Sequence, residues 1–317
     1  MNSLTRNDVA RWLLEQDNYV ILTHRRPDGD TLGSAAVLCR ALRQMGKIAH
    51  ILKNHEITEK YIHLHEGLTC DEPSAQATLV CVDTAAPDLI PAQWEALRGR
   101  ISLRIDHHAS ATSFTELELV DATAGACGDI LYDVLRLLSV RIDKPMAEAL
   151  YTAVSTDTGC FRYANTTAHS YEVAAACAHA GGDLHSINQS IFDTNSLARL
   201  RMQGWIVENI RLYRGGTVAV CALPLEVEKE LAVTEDDMEN ISGFPRSIEG
   251  VKIAATLRQS DDGKVKLSVR ALPGYDAAAV CAKFGGGGHK GAAGATIALP
   301  LADAAVAVTQ AMEELLQ

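Results

Sequence analysis

Apolar positions in this chain fall into two kinds of block, one short and continuous, the other stepped at three and four residues. The continuous runs Tyr19–Thr23, Ile48–Leu52, Thr78–Val82 and Ile101–Ile105 have the β-branched character of strands covered on both faces. Stepped apolar residues predict helices near Val9–Gln16, over Leu32–Gln44 with Gly46 as its stop, and over Asp129–Leu138, Pro145–Val154 and His169–His179, the last ended by Gly181 and Gly182. Pro145 falls in a first helical turn, where a missing N–H costs little. Strands alternating with helices predict an α/β fold with a doubly wound parallel sheet.

Beyond the polar helical stretch Ser196–Arg211, read as a link between two lobes, the pattern changes. Val251–Gln259 and Val265–Ala271 flank the turn Asp261–Asp262–Gly263, as a hairpin does. A helix at Ala277–Phe284, the glycine run Gly285–Gly288, a strand at Thr296–Leu299 and a terminal helix complete a smaller α/β lobe. The boundary is placed near residue 195, giving domains 1–195 and 196–317 with an interdomain cleft for the active site. A length of 317 residues agrees with two cores.

Composition narrows the class. With 47% hydrophobic, 22% charged and 5% aromatic residues, the chain is neither fibrous nor disordered, and it has no apolar run long enough for a bilayer. Asn7, Asp8, Arg11 and Glu15 interrupt any signal-type apolar stretch. The eight cysteines are scattered, with no Cys-x-x-Cys pair, and read as small apolar residues in a reducing compartment, so the cytoplasm is the expected location. A formal charge of −11 argues against tracking long duplex nucleic acid, though not against a small anion held locally.

Four acidic motifs stand where apolar elements stop: His24-x-x-Pro-Asp28-Gly-Asp30, Val82–Asp83, Asp106–His107–His108 and Thr156–Asp157–Thr158–Gly159. Three of them follow predicted strands directly. An Asp-Gly step alone is usually only a turn, and an Asp after a strand is often a helix cap. Ligands of open parallel sheets, however, bind beyond the carboxyl ends of the strands, so this placement gathers Asp28, Asp30, Asp83, Asp106 and Asp157 at one crevice. Carboxylates so close cannot all stay ionised without counter-charge. Two divalent cations would supply it, and a mixed oxygen and imidazole set suits manganese first, with magnesium or cobalt as alternatives.

Those four motifs, the last extended as Asp157–Thr158–Gly159–Cys160–Phe161–Arg162–Tyr163, resemble the motifs of DHH phosphoesterases. The segment from Gly285 to Gly294, with His289 and Lys290 after the glycines, resembles the DHHA1 signature. Together they span the chain from first strand to last, and the nano-RNase type, which degrades oligoribonucleotides and dephosphorylates 3′-phosphoadenosine 5′-phosphate, is the nearest form. The one departure is Gly128–Asp129, in place of an Ala–Glu-like step. The resemblance implies that His24, Asp28 and Asp83 hold one cation, and that Asp30, His107, Asp157 and a bridging Asp83 hold the other. It further implies that Asp106 orients a ligand histidine and that His108 meets the scissile phosphate, so Asp83, Asp106 and His108 form the expected catalytic set.

For substrate, the run Gly286, Gly287 and Gly288 before His289 and Lys290 reads as a backbone cradle for phosphate. Arg162 follows a metal motif directly. Arg258 and Arg270 lie on neighbouring predicted strands, where solvated and anion-binding roles are balanced, and the resemblance inclines Arg270 toward substrate. The expected partners are short RNA or small nucleotides, without long duplex or membrane, and a homodimer is compatible with this. Rival readings are a cyclic dinucleotide phosphodiesterase using the same metals, and a nucleotide sensor that does not hydrolyse.

Overall fold

Every strand of the amino-terminal sheet is parallel to its neighbours, as strands joined by helices must be. In the computed structural model, which describes residues 2–238 and 241–315, the strands are β1 (Asn2–Ser3), β2 (Tyr19–Leu22), β3 (Ala49–Leu52), β4 (Thr69–Cys70), β5 (Thr78–Val82), β6 (Ile101–Asp106) and β7 (Leu117–Val120). Their order is β1-β7-β6-β5-β2-β3-β4, so chain direction across the sheet reverses at β2 and β5. Tyr19, Val20, Ile21 and Leu22 are all buried, as expected of a strand covered on both faces. The chain divides into two units, Met1–Thr194 and Asn195–Gln317.

Two helices of the first unit carry acidic motifs, and each differs from expectation at the end that matters. The helix expected from Leu32 begins at Gly29, because Asp28 caps it by accepting from the Asp30 and Thr31 amides at 3.1 and 3.2 Å. The helix expected to stop at Val154 runs Lys144–Asp157, so Asp157 is its last residue. These helices cross closely: a Cβ on Gly33 would lie 2.3 Å from the Ala149 carbonyl oxygen, and one on Gly29 would lie 2.4 Å from Thr156 Cγ2. Glycine at both places brings the start of one helix against the end of the other.

The second unit carries a mixed sheet of strands β8 (Arg211–Tyr213), β9 (Val218–Leu223), β10 (Ile253–Gln259), β11 (Val265–Ala271), β12 (Gly287–Gly288) and β13 (Ala292–Ile297). Their order is β12-β13-β11-β10-β9-β8. β10 and β11 form the hairpin around Gly263, whose φ is +78°. The last strand is Ala292–Ile297 rather than Thr296–Leu299, because the small residues Ala292, Ala293 and Gly294 pair with Arg270, Val269 and Ser268 of β11. The helix predicted as a link, Leu197–Asn209, belongs to this unit and packs Met202 and Ile206 with Cys221 and Leu223. Among the described residues no helix is long and apolar enough to cross a membrane.

Candidate metal centre

Three of the four motifs leave adjacent parallel strands: His24 follows β2, Asp83 follows β5, and Asp106 ends β6. The two helices described above add Asp28 and Asp30 from a first turn and Asp157 from a last residue. Asp83 takes φ +53°, a left-handed conformation that Asp tolerates better than most residues, and its amide still donates to the Ile105 carbonyl at 2.8 Å. A turn that tight keeps its carboxylate at the sheet edge.

The side chains converge. His24 Nε2 lies 3.6 Å from both Asp28 Oδ1 and Asp83 Oδ2. His107 Nε2 lies 3.7 Å from Asp30 Oδ2 and 3.5 Å from both Asp83 Oδ1 and Asp157 Oδ2. Such gaps exceed hydrogen-bond length and approach the ~3.0–3.4 Å separating donor atoms that share a cation at about 2.1 Å. Asp83 turns one oxygen to each histidine, as a bridging carboxylate does. Its Oδ1 and His107 Nε2 are buried without a hydrogen-bond partner.

Tautomers follow from the other ring nitrogens. His24 Nδ1 lies 2.8 Å from the Arg25 carbonyl oxygen, and His107 Nδ1 lies 3.3 Å from that of Ala124. Donating there, each ring points the bare lone pair of Nε2 at carboxylates, an unfavourable contact unless a proton or cation lies between. Three groups, His24 with Asp28 and Asp83, Asp30 with His107 and Asp157, and Asp83 with His107 and His108, each bring ligand atoms within 4.8 Å of one another. The donor set therefore fits a pair of divalent cations.

Supporting contacts bear on these groups. Asp30 accepts from the Cys127 and Gly128 amides at 2.6 and 3.1 Å, at the start of the Cys127–Leu137 helix, and from Ser34 Oγ at 3.0 Å. Asn165 Nδ2 donates to Asp157 Oδ2 at 3.2 Å. Asp106 Oδ1 accepts from His108 Nδ1 and from the His107 amide, both at 2.8 Å, whereas the His107 ring meets the Ala124 carbonyl oxygen through Nδ1. Behind it stands Arg104, only 1% exposed, which donates to the carbonyls of Thr84, Ala85 and Thr112 and to Glu118 at 3.1 Å, and lies 3.7 Å from Asp106 Oδ2. Sequence reasoning missed Arg104, Asn165 and Ser34. The signal for Arg104 was a charge inside an apolar run covered on both faces.

Without cations, protons would have to settle this cluster. Burial, then the charges of Asp83, Asp157 and Asp28, push the Asp30 carboxyl well above the usual range. Asp157 is pushed up to about 7, by burial first and by Asp83 and Asp28 against the opposing His107. For His108, burial works against protonation, but the Asp106 hydrogen bond and the charges of Asp83, Asp106 and Asp157 carry it to about 9. Burial likewise opposes a charge on His24, and Asp28 and Asp83 overcome it.

The expected substrate residues are placed as follows. Arg162 is exposed just beyond Asp157, donating from Nε to the Gly159 carbonyl at 2.6 Å. In the second unit, the glycine run is less a free cradle than a structural junction. Gly285, at φ +72°, and Gly286 cap the Ala277–Ala282 helix by donating to Ala282 and Cys281, while Gly287 and Gly288 pair with β13. A Cβ on Gly286 would fall 2.2 Å from the Gly294 oxygen. His289 and Lys290 are exposed at the hairpin tip. Arg270 is half-buried on the face of β11 opposite Val265, Leu267 and Val269. Arg258 is held by Glu228 and Glu235, which decides for a structural ion pair.

Residues 18–154 match the profile of the DHH family, N-terminal domain, and residues 215–317 that of the DHHA1 domain. The chain is 32% identical over 297 residues to the bifunctional oligoribonuclease and PAP phosphatase NrnA of Thermus thermophilus, covering 93% of this chain and 89% of that one. An exopolyphosphatase-related protein from Bacteroides fragilis has the same fold, with a TM-score of 0.85 at 24% identity over 98% of this chain and 96% of that one. Exonuclease RecJ bound to manganese superposes with a TM-score of 0.52 at 14% identity, over 99% and 94% of the two chains.

Proposed function

The chain belongs to the DHH family, with a DHHA1 domain following its DHH domain, and from that premise we propose that it hydrolyses short oligoribonucleotides to mononucleotides and dephosphorylates 3′-phosphoadenosine 5′-phosphate, with two divalent cations, manganese by first preference. The observation that carries the proposal is the pair of buried, unpartnered ligand atoms, Asp83 Oδ1 and His107 Nε2, at the meeting point of three potential ligand groups.

In this reading His24, Asp28 and Asp83 hold one cation, and Asp30, His107, Asp157 and Asp83 the other. Bound there, the pair supplies Lewis acidity and a water acidic enough to attack phosphorus near neutral pH. The protein's own groups do the rest. Asp83 holds the two sites in register through its two oxygens. Ala124 and Arg25 keep His107 and His24 in the tautomer that presents Nε2. Asp106 accepts a hydrogen bond from His108 Nδ1 at 2.8 Å and fixes the ring, leaving Nε2 free to meet a phosphate oxygen, to which it donates when the ring is protonated. Arg162 of the first unit and, in the second, Arg270, His289 and Lys290 are the proposed further contacts for phosphate.

The test is turnover of di- to pentaribonucleotides and of 3′-phosphoadenosine 5′-phosphate by purified protein, first stripped of metal and then titrated with manganese. Mononucleotide and AMP should form only once cation is restored. Equal turnover in excess chelator, or no product from any of these substrates with manganese present, would refute the reading.

A further inference from the structure

The segment from Asp157 to Asn165 leaves the metal centre and returns to it. Asp157 faces His107 through Oδ2 at 3.5 Å, and Asn165 Nδ2 comes back to the Asp157 carbonyl at 3.1 Å and to Oδ2 at 3.2 Å. Both ends of the loop are thus pinned to one proposed ligand. Within it, Gly159, Cys160 and Phe161 take φ values of 58°, 55° and 62°. Left-handed backbone is unfavourable for the two residues that are not glycine, and strain of this kind persists only where the surroundings enforce it.

The left-handed turn sorts the side chains. Phe161 turns inward, with its ring centroid 5.8 Å from that of Tyr151 and 5.2 Å from that of Tyr171, on which it stacks at 25°. Tyr163 turns back over the turn: a Cβ on Gly159 would meet its Cζ, Cε1 and Cε2 atoms at 2.3, 2.5 and 2.5 Å. One face of the ring therefore lies flat on the glycine, which only a residue without a side chain permits. Tyr163 is nevertheless 52% exposed. Beside it the Arg162 guanidinium lies 5.9 Å from the Phe192 ring centroid. An aromatic ring backed on one face, open on the other and carried by a loop tied to a phosphate-handling centre is what a base needs to stack on.

We propose that Tyr163 is the stacking platform for the nucleobase of the substrate. The inference rests on the phosphoesterase reading and adds its recognition element. Stacking accepts any base, because each has a π face, so such a platform favours nucleotides over other phosphoesters without choosing among the four bases. It also suits a chain whose formal charge of −11 argues against tracking a long strand.

The experiment compares wild type, Tyr163→Phe and Tyr163→Ala on 3′-phosphoadenosine 5′-phosphate and on ribose 3,5-bisphosphate, which lacks the base. In the wild type the base should lower KM by about tenfold. Tyr163→Ala should lose that advantage, raising KM for the nucleotide about tenfold with kcat kept, and leave the baseless substrate unchanged, which also shows that the variant is folded. Tyr163→Phe should behave as wild type. Equal losses on both substrates, no loss on either, or a Phe variant as impaired as the Ala variant would overturn the platform. Wild type inert toward both substrates would sink the phosphoesterase reading, and the platform with it.

Discussion

Two clusters of acidic and basic side chains, one in each unit, are opposite in construction. In the second unit, Arg258 donates to Glu228 at 2.6 and 2.7 Å and to Glu235 at 2.9 and 3.2 Å, so guanidinium and carboxylates satisfy one another in two bidentate pairs. At the carboxyl ends of β2, β5 and β6, acceptors face acceptors: His24 and His107 turn Nε2 toward Asp28, Asp30, Asp83 and Asp157. The first cluster is complete as it stands, and the second is complete only with something positive at its centre. Charge density does not separate a structural ion pair from a ligand site. Unmet lone pairs, buried and convergent, do.

The largest effect should come from removing the charge that both proposed cation positions share. Asp83→Asn keeps the shape and tolerates the left-handed turn, since Asn, like Asp, is favoured there. Turnover should fall by about a thousandfold or more, an effect of the size seen when a main electrostatic contributor to a transition state is lost. Thermal stabilisation by added manganese should shrink with it, while the metal-free variant folds and melts no lower than metal-free wild type, because a carboxylate among carboxylates is no asset without cations. Retained turnover, or undiminished stabilisation by manganese, would place the shared position elsewhere.

What was legible in the sequence follows the same division. The ligand candidates could be read because His and Asp at the ends of apolar runs need a reason to be there, and β2, β5 and β6 announced themselves as such runs. The hairpin of β10 and β11 was given by Asp261–Asp262–Gly263. Features that depend on distant partners stayed hidden. The short strand Leu117–Val120, with Glu118 in it, is a strand because β6 lies beside it, and Glu118 is there to meet Arg104. Helix starts were misplaced where apolar periodicity began later than the cap, as at Gly29. That the His107 ring is set by the Ala124 carbonyl while Asp106 takes the His108 ring turned on a backbone group, which no side-chain pattern reveals.

A second substitution tests the complete cluster. Glu228 is 6% exposed, so Arg258→Met leaves a carboxylate largely buried without its partner and should cost about 3 kcal/mol of stability, measured by denaturant unfolding. The double variant Arg258→Met with Glu228→Gln should recover most of that loss, since the penalty belongs to the stranded charge. Turnover and manganese dependence should match wild type in both. Altered metal dependence in Arg258→Met would show that the two clusters are not the independent kinds of structure contrasted above.

The smallest effect asks whether the acid response of the first unit belongs to its ligand cluster at all. His65, 5% exposed, has Nε2 3.0 Å from the Leu32 carbonyl oxygen. Burial holds its pKa down at about 4, with Arg40 adding to it and the Leu32 hydrogen bond opposing. A histidine with a lowered folded value contributes stability that is full above the unfolded value of about 6.5 and is lost as pH falls toward 4. Asp157 has the opposite sign in metal-free protein. Its raised value of about 7 means stability present below the ordinary carboxylate range and lost as pH climbs through 7. Between pH 4 and 6.5 the two groups therefore pull in opposite directions. His65→Gln, whose amide can still donate to Leu32, should match wild type at pH 7.5 and exceed it by about 2 kcal/mol at pH 5. Metal-free Asp157→Asn should instead flatten the rise in stability that acid gives. If His65→Gln tracks wild type at every pH, the acid response resides in the carboxylates alone, and the contrast between self-satisfied and open clusters extends to the pH dependence of the fold.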